Sequence, residues 1–167
     1  MYNYGTTAGT KYIRLTADIE LSAYLKIGQN SVSQTVTIDM NGRTLRRTGL
    51  TKADANGHVI EVFGAGNLTL TSTWNDGVLT GGWANNGGGI CNYGTVTLKN
   101  ITITGCQANE GGGIKNNTGA TLTINGGVTI TGNTSTSYPL EWWQWMPRPC
   151  LSIGFIKTCC TFCTFCT

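Results

Sequence analysis

Ala84-Asn85-Asn86-Gly87-Gly88-Gly89-Ile90-Cys91-Asn92 returns 24 residues later as Ala108-Asn109-Glu110-Gly111-Gly112-Gly113-Ile114-Lys115-Asn116, with seven of the nine positions identical. A fixed period of this length means that one structural unit is stacked on itself, so the sequence predicts a repeat architecture rather than a closed globule. Each copy is followed by two short alternating runs. The first copy leads into Thr95-Val96-Thr97-Leu98 and Ile101-Thr102-Ile103-Thr104-Gly105; the second leads into Thr121-Leu122-Thr123-Ile124 and Val128-Thr129-Ile130-Thr131-Gly132. Aliphatic residues alternating with Thr at period two mark strands with one buried face. The unit therefore reads as glycine turn, strand, short corner, strand and polar turn.

Weaker copies precede these two. Ile13 and Leu15, then Ile19 and Leu21, form short alternating runs, and Thr35-Val36-Thr37-Ile38-Asp39-Met40-Asn41-Gly42 is a strand that ends in an Asn-Gly turn signal. Val59-Ile60-Glu61-Val62-Phe63, Asn67-Leu68-Thr69-Leu70-Thr71 and Val78-Leu79-Thr80-Gly81-Gly82 continue the pattern. The expected fold is all-β: a single-stranded parallel β-helix of about four to five coils over residues 11–136, after a lead-in at 1–10 and before a non-repeat tail at 137–167. Strands of successive coils would pair in parallel about 4.8 Å apart. Val96, Leu98, Ile101 and Ile103 would then stack inward on Leu122, Ile124, Val128 and Ile130, with Thr95, Thr97, Thr102 and Thr104 facing out. The repeat residues Gly87, Gly88, Gly89, Ile90 and Asn92 would lie against Gly111, Gly112, Gly113, Ile114 and Asn116. In that alignment Asn92 and Asn116 form an amide ladder.

With only 11% charged residues and 24 glycines, a chain of 167 residues would read as disordered if its apolar residues were randomly placed. Their period-two placement argues for a stacked β fold with a real core. The net charge of +3 is too small to imply a nucleic-acid partner. Arg43, Arg46, Arg47 and Lys52 form a local basic cluster, read as a solvated turn surface. Met1-Tyr2-Asn3-Tyr4-Gly5 lacks the basic start and apolar run of a signal peptide. No run reaches the roughly 18 consecutive apolar residues expected of a membrane span.

The Gly-Gly-Gly-Ile cores, with Ala-Asn before and Asn after, resemble the GGAI-type repeats of polymorphic outer-membrane proteins. They are also similar to the β-helical passenger regions of bacterial autotransporters and adhesin-like proteins. Val36-Thr37-Ile38-Asp39-Met40-Asn41-Gly42-Arg43-Thr44-Leu45 resembles an opening coil of right-handed β-helix surface proteins. This resemblance covers roughly residues 11–134 and implies right-handed coils, a bacterial surface or secreted parent, and a glycan or protein ligand on the outer faces. The partner Phe-x-x-Asn motif and a translocator barrel are missing, so export and display are expected of a parent gene.

After Thr136 the texture changes: Trp142, Trp143 and Trp145 cluster, and the chain ends in Cys159-Cys160-Thr161-Phe162-Cys163-Thr164-Phe165-Cys166-Thr167. Trp has the single codon TGG, so Trp142-Trp143 read one nucleotide later becomes Gly-Gly, which is what a further repeat should supply near this position. The expectation is a frameshift between about Gly132 and Glu141. The Cys160-x-x-Cys163-x-x-Cys166 spacing resembles a metal or cluster motif. It is equally a low-complexity Thr-Phe-Cys triplet with no His nearby, and no metal site is assigned. A disulfide framework would leave one of seven cysteines unpaired.

Catalysis on a β-helix, as in polysaccharide lyases and hydrolases, needs carboxylates gathered on one face, or calcium ligands beside a base. Asp18, Glu20, Asp39, Asp54, Glu61, Asp76, Glu110 and Glu141 are instead scattered along the chain. Asp18 and Glu20 alternate on one strand face and read as an exposed edge. His58 reads as a residue at the start of a strand. Cys91 and Cys106, replaced by Lys115 and Asn133 in the next copy, read as surface or turn positions. Gly64-Ala65-Gly66 is too short for a dinucleotide loop. The sequons at Asn67, Asn100, Asn116 and Asn133 point at most to exposure. The sequence thus predicts no catalytic residue, no cofactor and no metal: a non-catalytic, adhesin-like structural segment presenting Thr- and Asn-rich faces. A piece of a pectin-lyase-like carbohydrate-active enzyme, with its catalytic coils elsewhere, is the alternative.

Overall fold

Alternating Thr and aliphatic residues cannot bury one face of a single short strand alone, and each run finds its partners in the coils above and below. The structure, a computed structural model, describes residues 8–136 and the backbone of residues 152–153 and 156–158. The first coil holds β1 (Gly9–Arg14), β2 (Ile19–Leu21) and β3 (Leu25–Ile27); the second holds β4 (Gln34–Asp39), β5 (Thr44–Arg47) and β6 (Ile60–Val62). The third is β7 (Gly66–Thr71), β8 (Gly77–Thr80), β9 (Trp83–Asn86) and β10 (Ile90–Asn92). The fourth repeats it as β11 (Thr95–Lys99), β12 (Ile101–Thr104), β13 (Gln107–Glu110) and β14 (Ile114–Asn116). The fifth is β15 (Thr121–Ile124), β16 (Thr129–Ile130) and β17 (Thr134–Ser135).

Equivalent strands line up as four sheets: sheet A in the order β1-β4-β7-β11-β15, sheet B β2-β5-β8-β12-β16, sheet C β3-β6-β10-β14, and sheet D β9-β13-β17. Every pairing among these strands is parallel. The chain is therefore a parallel β-solenoid of about five turns, the fold class expected from the repeat. Beyond it, β18 (Ser152–Ile153) runs antiparallel to β19 (Ile156–Thr158), and β19 lies parallel on β14. The Trp cluster, Glu141, the Cys160–Cys166 motif and the proposed frameshift region beyond Thr136 lie outside the described residues.

The core is a set of aliphatic columns running along the stack. In sheet A, Ile38, Leu70, Leu98 and Ile124 are in register, as are Val36, Leu68, Val96 and Leu122. In sheet B the column is Ile19, Leu45, Leu79, Ile103 and Ile130; in sheet C it is Leu25, Ile60, Ile90 and Ile114. In the middle coils these side chains are fully buried, and each such Leu or Ile stabilises the fold by about 1.5–3 kcal/mol. The last coil is different. Leu122, Val128 and Ile130 are only partly buried against the core, and Ile124, expected to point inward, is 47% exposed. Its register is right, but no described coil stacks above it.

Corners between sheets A and B are made by Asn41, Asn75 and Asn100, all in the left-handed region at φ 51, 53 and 54. Asn is among the few L-residues that tolerate this conformation, because its short amide bonds locally. Here the bonds reach to the coil beneath: the Asn41 amide donates to the Leu15 carbonyl and that of Asn100 to the Ser72 carbonyl.

Candidate functional site

The glycine turn joins sheet D to sheet C, and its first two positions have separate tasks. Gly87 and Gly111 adopt φ 61 and 63, where a side chain would be strained. Gly88 is held by contact: a Cβ there would collide with the carbonyl oxygens of Gln107 and Gly112 in the next coil. Gly112 in turn faces the Thr134 carbonyl. That approach lets the turns themselves bond from coil to coil, with the N–H groups of Gly87, Gly88 and Ile90 donating to the carbonyls of Glu110, Gly111 and Gly113. Ile90 and Ile114 then enter the core in register.

At the following corner the buried Asn92 amide donates to Asn116 Oδ1 at 2.6 Å and to the Thr121 carbonyl at 2.9 Å. Its own oxygen accepts the Gly94 N–H, and the Asn116 amide donates to the Ala120 carbonyl. The two side chains thus satisfy turn groups that would otherwise be buried without partners. In the coil below, Val62 occupies the same register, so the ladder is confined to these coils. A second side-chain bridge was not legible as such. The Asn133 amide donates to the Ile103 carbonyl while its oxygen accepts the Cys106 N–H.

The outer faces are polar columns. Sheet A presents Thr10, Thr35, Asn67, Thr95 and Thr121 in one row and Tyr12, Thr37, Thr69, Thr97 and Thr123 in the next. Sheet B adds Thr80 beside Thr104, and Val78, Thr102 and Thr129. Each sheet A rung therefore offers two side chains, mostly Thr, repeating at the strand spacing of about 4.8 Å.

The acids are not gathered. Asp18 accepts the Thr44 N–H at the exposed start of β2, and the exposed Glu20 is in register with Arg46 of the next coil. Of the basic cluster, Arg43, Arg46 and Lys52 are exposed. Arg47 is part-buried and donates to the carbonyls of Leu21 and Thr48, a structural task the composition did not signal. Asp39 is buried under a network: Thr73 donates from both backbone and hydroxyl, Asn41 from its backbone, and Tyr12 from its hydroxyl. Arg14 Nε lies 3.5 Å away. Burial pushes the Asp39 carboxyl up, but those hydrogen bonds together outweigh it and hold the group below its ordinary value.

Two sequence expectations are corrected. Cys91 and Cys106 are buried, not surface positions. Polar replacement misled because Lys115 buries its stem while its ammonium reaches partners, and Asn133 bonds backbone at both ends of its amide. Burial pushes both thiols up, that of Cys106 to about 11, so neither is a ready thiolate nucleophile. Of the four sequons, Asn67 is exposed, whereas Asn116 and Asn133 are buried with their amides engaged. His58 precedes β6, as expected, and is buried there; its Nε2 lies 3.4 Å from Glu61 Oε2 and its ring meets Tyr24 edge-on.

No group of three or more His, Cys, Asp or Glu side chains is placed to hold a metal among the described residues. Among the described residues, a surface cleft of about 470 Å³ is lined by Gly28–Ser31 and Phe63, Gly64 and Ala65, none of which carries a titratable side chain. Among the described residues no helix is long and apolar enough to cross a membrane. Comparison with protein-family models, with curated proteins and with solved structures finds no match.

Proposed function

We propose that this solenoid is a structural, adhesin-like β-helix segment of a bacterial surface or secreted protein. In this reading it acts without catalysis, by presenting the outer face of sheet A to a glycan or protein ligand. The observation that carries the reading is the double column of sheet A, Thr35, Thr95 and Thr121 beside Thr37, Thr69, Thr97 and Thr123. A rigid row of hydroxyls and methyls at regular spacing suits the alternating hydroxyl and C–H faces of an extended sugar chain, and solenoids use such long surfaces for recognition. The scattered acids and the cleft without titratable groups favour binding over hydrolysis. The GGAI-type resemblance of the repeats supports a polymorphic outer-membrane or autotransporter passenger as the parent.

The test is a glycan array probed with the full chain and with a Thr69→Lys, Thr97→Lys variant. The charges fall in the middle of the column and leave the core untouched. Binding to a polysaccharide class should weaken at least about tenfold in the variant, equivalent to about 1.4 kcal/mol, with unchanged circular dichroism. Equal binding by both proteins would remove sheet A as the ligand face. Release of oligosaccharide on incubation would favour the carbohydrate-active alternative.

A further inference from the structure

The sheet D–sheet C corner brings three reactive groups together. Asn86 ends β9 and Glu110 ends β13, and the two residues are opposite one another in the parallel pairing. The turn at Gly111, Gly112 and Gly113 then carries the chain round into β14, from which Lys115 reaches back over both. Its Nζ donates to Asn86 Oδ1 at 2.7 Å and lies 2.7 Å from Glu110 Oε2. The Lys115 and Glu110 side chains are 16% and 28% exposed, so the corner is largely shielded from solvent. In the coil beneath, Cys91 holds the register position of Lys115, and that coil has no amine at this place.

An amine held against a carboxamide, with a carboxylate touching the amine, is the reactant set for amide exchange. We propose that Lys115 and Asn86 join as an intramolecular isopeptide bond, with Glu110 as the proton carrier. Glu110 takes one proton from the Lys115 ammonium, and the freed Nζ lone pair adds to Asn86 Cγ. A second Nζ proton passes through Glu110 to Nδ2. The Cγ–Nδ2 bond breaks, ammonia leaves and takes up the remaining proton as ammonium, and Cγ–Nζ persists as a secondary amide. No oxidant, metal or further reactant is consumed. Fixed placement replaces a bimolecular encounter and so removes the entropic part of the barrier to such an exchange in solution. The product covalently ties the third coil to the fourth across 29 residues.

Mass spectrometry of the reduced, soluble full chain showing β-sheet circular dichroism tests this. The bond removes one ammonia, so the chain should be about 17 Da lighter than its sequence mass. Trypsin should then fail to cleave after Lys115 and should release residues 53–99 linked to the segment containing Lys115. Lys115→Arg, which keeps the cation beside Glu110 but cannot form the amide, should restore the full mass. Glu110→Gln should leave most of the chain unlinked. Full mass with normal cleavage after Lys115 would overturn the proposal. So would the same mass loss with normal cleavage after Lys115, because a succinimide at Asn86-Gly87 would account for it.

Discussion

The residues that hold this chain in register are those whose substitution leaves a neighbouring coil with a collision or an unmet hydrogen bond. Gly112→Ala would drive a methyl onto the Thr134 carbonyl, and overpacking of this kind costs about 1–3 kcal/mol. Gly126→Ala, where nothing lies within 4 Å and φ is not left-handed, should be close to neutral in the same denaturant titration. Asn92→Leu would leave the Gly94 N–H and the Thr121 carbonyl without the partners they have, at about 1–3 kcal/mol. Asp39 gives a pH dependence. Its carboxyl is lowered in the fold, so its contribution is complete above the ordinary value of 3.8 and is lost as pH falls through the lowered one. Asp39→Asn should therefore flatten the decline in stability on acidification below 3.8, and an unchanged acid profile would exclude Asp39 as its source.

At the scale of elements, position in the stack decides what a strand is worth. Leu98 in β11 has coils on both sides and is fully buried, whereas Ile124 in β15 holds the same column at its end. Leu98→Ala should cost about 2–5 kcal/mol, and Ile124→Ala well under half of whatever Leu98→Ala costs in the same chemical denaturation series. The strands were legible because Thr and aliphatic residues alternate in Thr95–Leu98 and Thr121–Ile124, and the glycine repeat aligned them. The corners were harder to read. Nothing in Lys99-Asn100-Ile101 announces a left-handed residue bonded to the coil below, although Asn41-Gly42 gave a turn signal. The interior polar groups were harder still. Asp39 and Asn133 look like solvent-facing residues in sequence, and their burial follows from donors that come from other coils, Thr73 and Tyr12 for the one and Cys106 for the other. The candidate ligand face was visible as outward Thr, but the Lys115–Glu110–Asn86 meeting depends on how the glycine turn folds and has no sequence signature.

Across the whole molecule, each coil contacts only its neighbours, so stability should grade from the middle of the stack to its ends. Amide hydrogen exchange should be slowest in β7, β8, β10, β11 and β12 and fastest in β15–β17. Uniform protection along the chain would contradict that gradient. Among the described residues, the exposed Ile124 and part-buried Leu122 and Ile130 also present apolar surface in the fifth coil, which favours association between copies at high concentration. All of this rests on pairing between coils instead of between successive strands. β11 and β12 are separated by one residue, Asn100, and a simple meander would pair them with each other. Nuclear Overhauser contacts measured at the backbone of Leu98 decide the matter most directly. The solenoid requires contacts to Leu70 on one side and Ile124 on the other, both in parallel register. Antiparallel contacts between Thr95–Lys99 and Ile101–Thr104, with none to Leu70 or Ile124, would contradict the stack and the ligand face built on it.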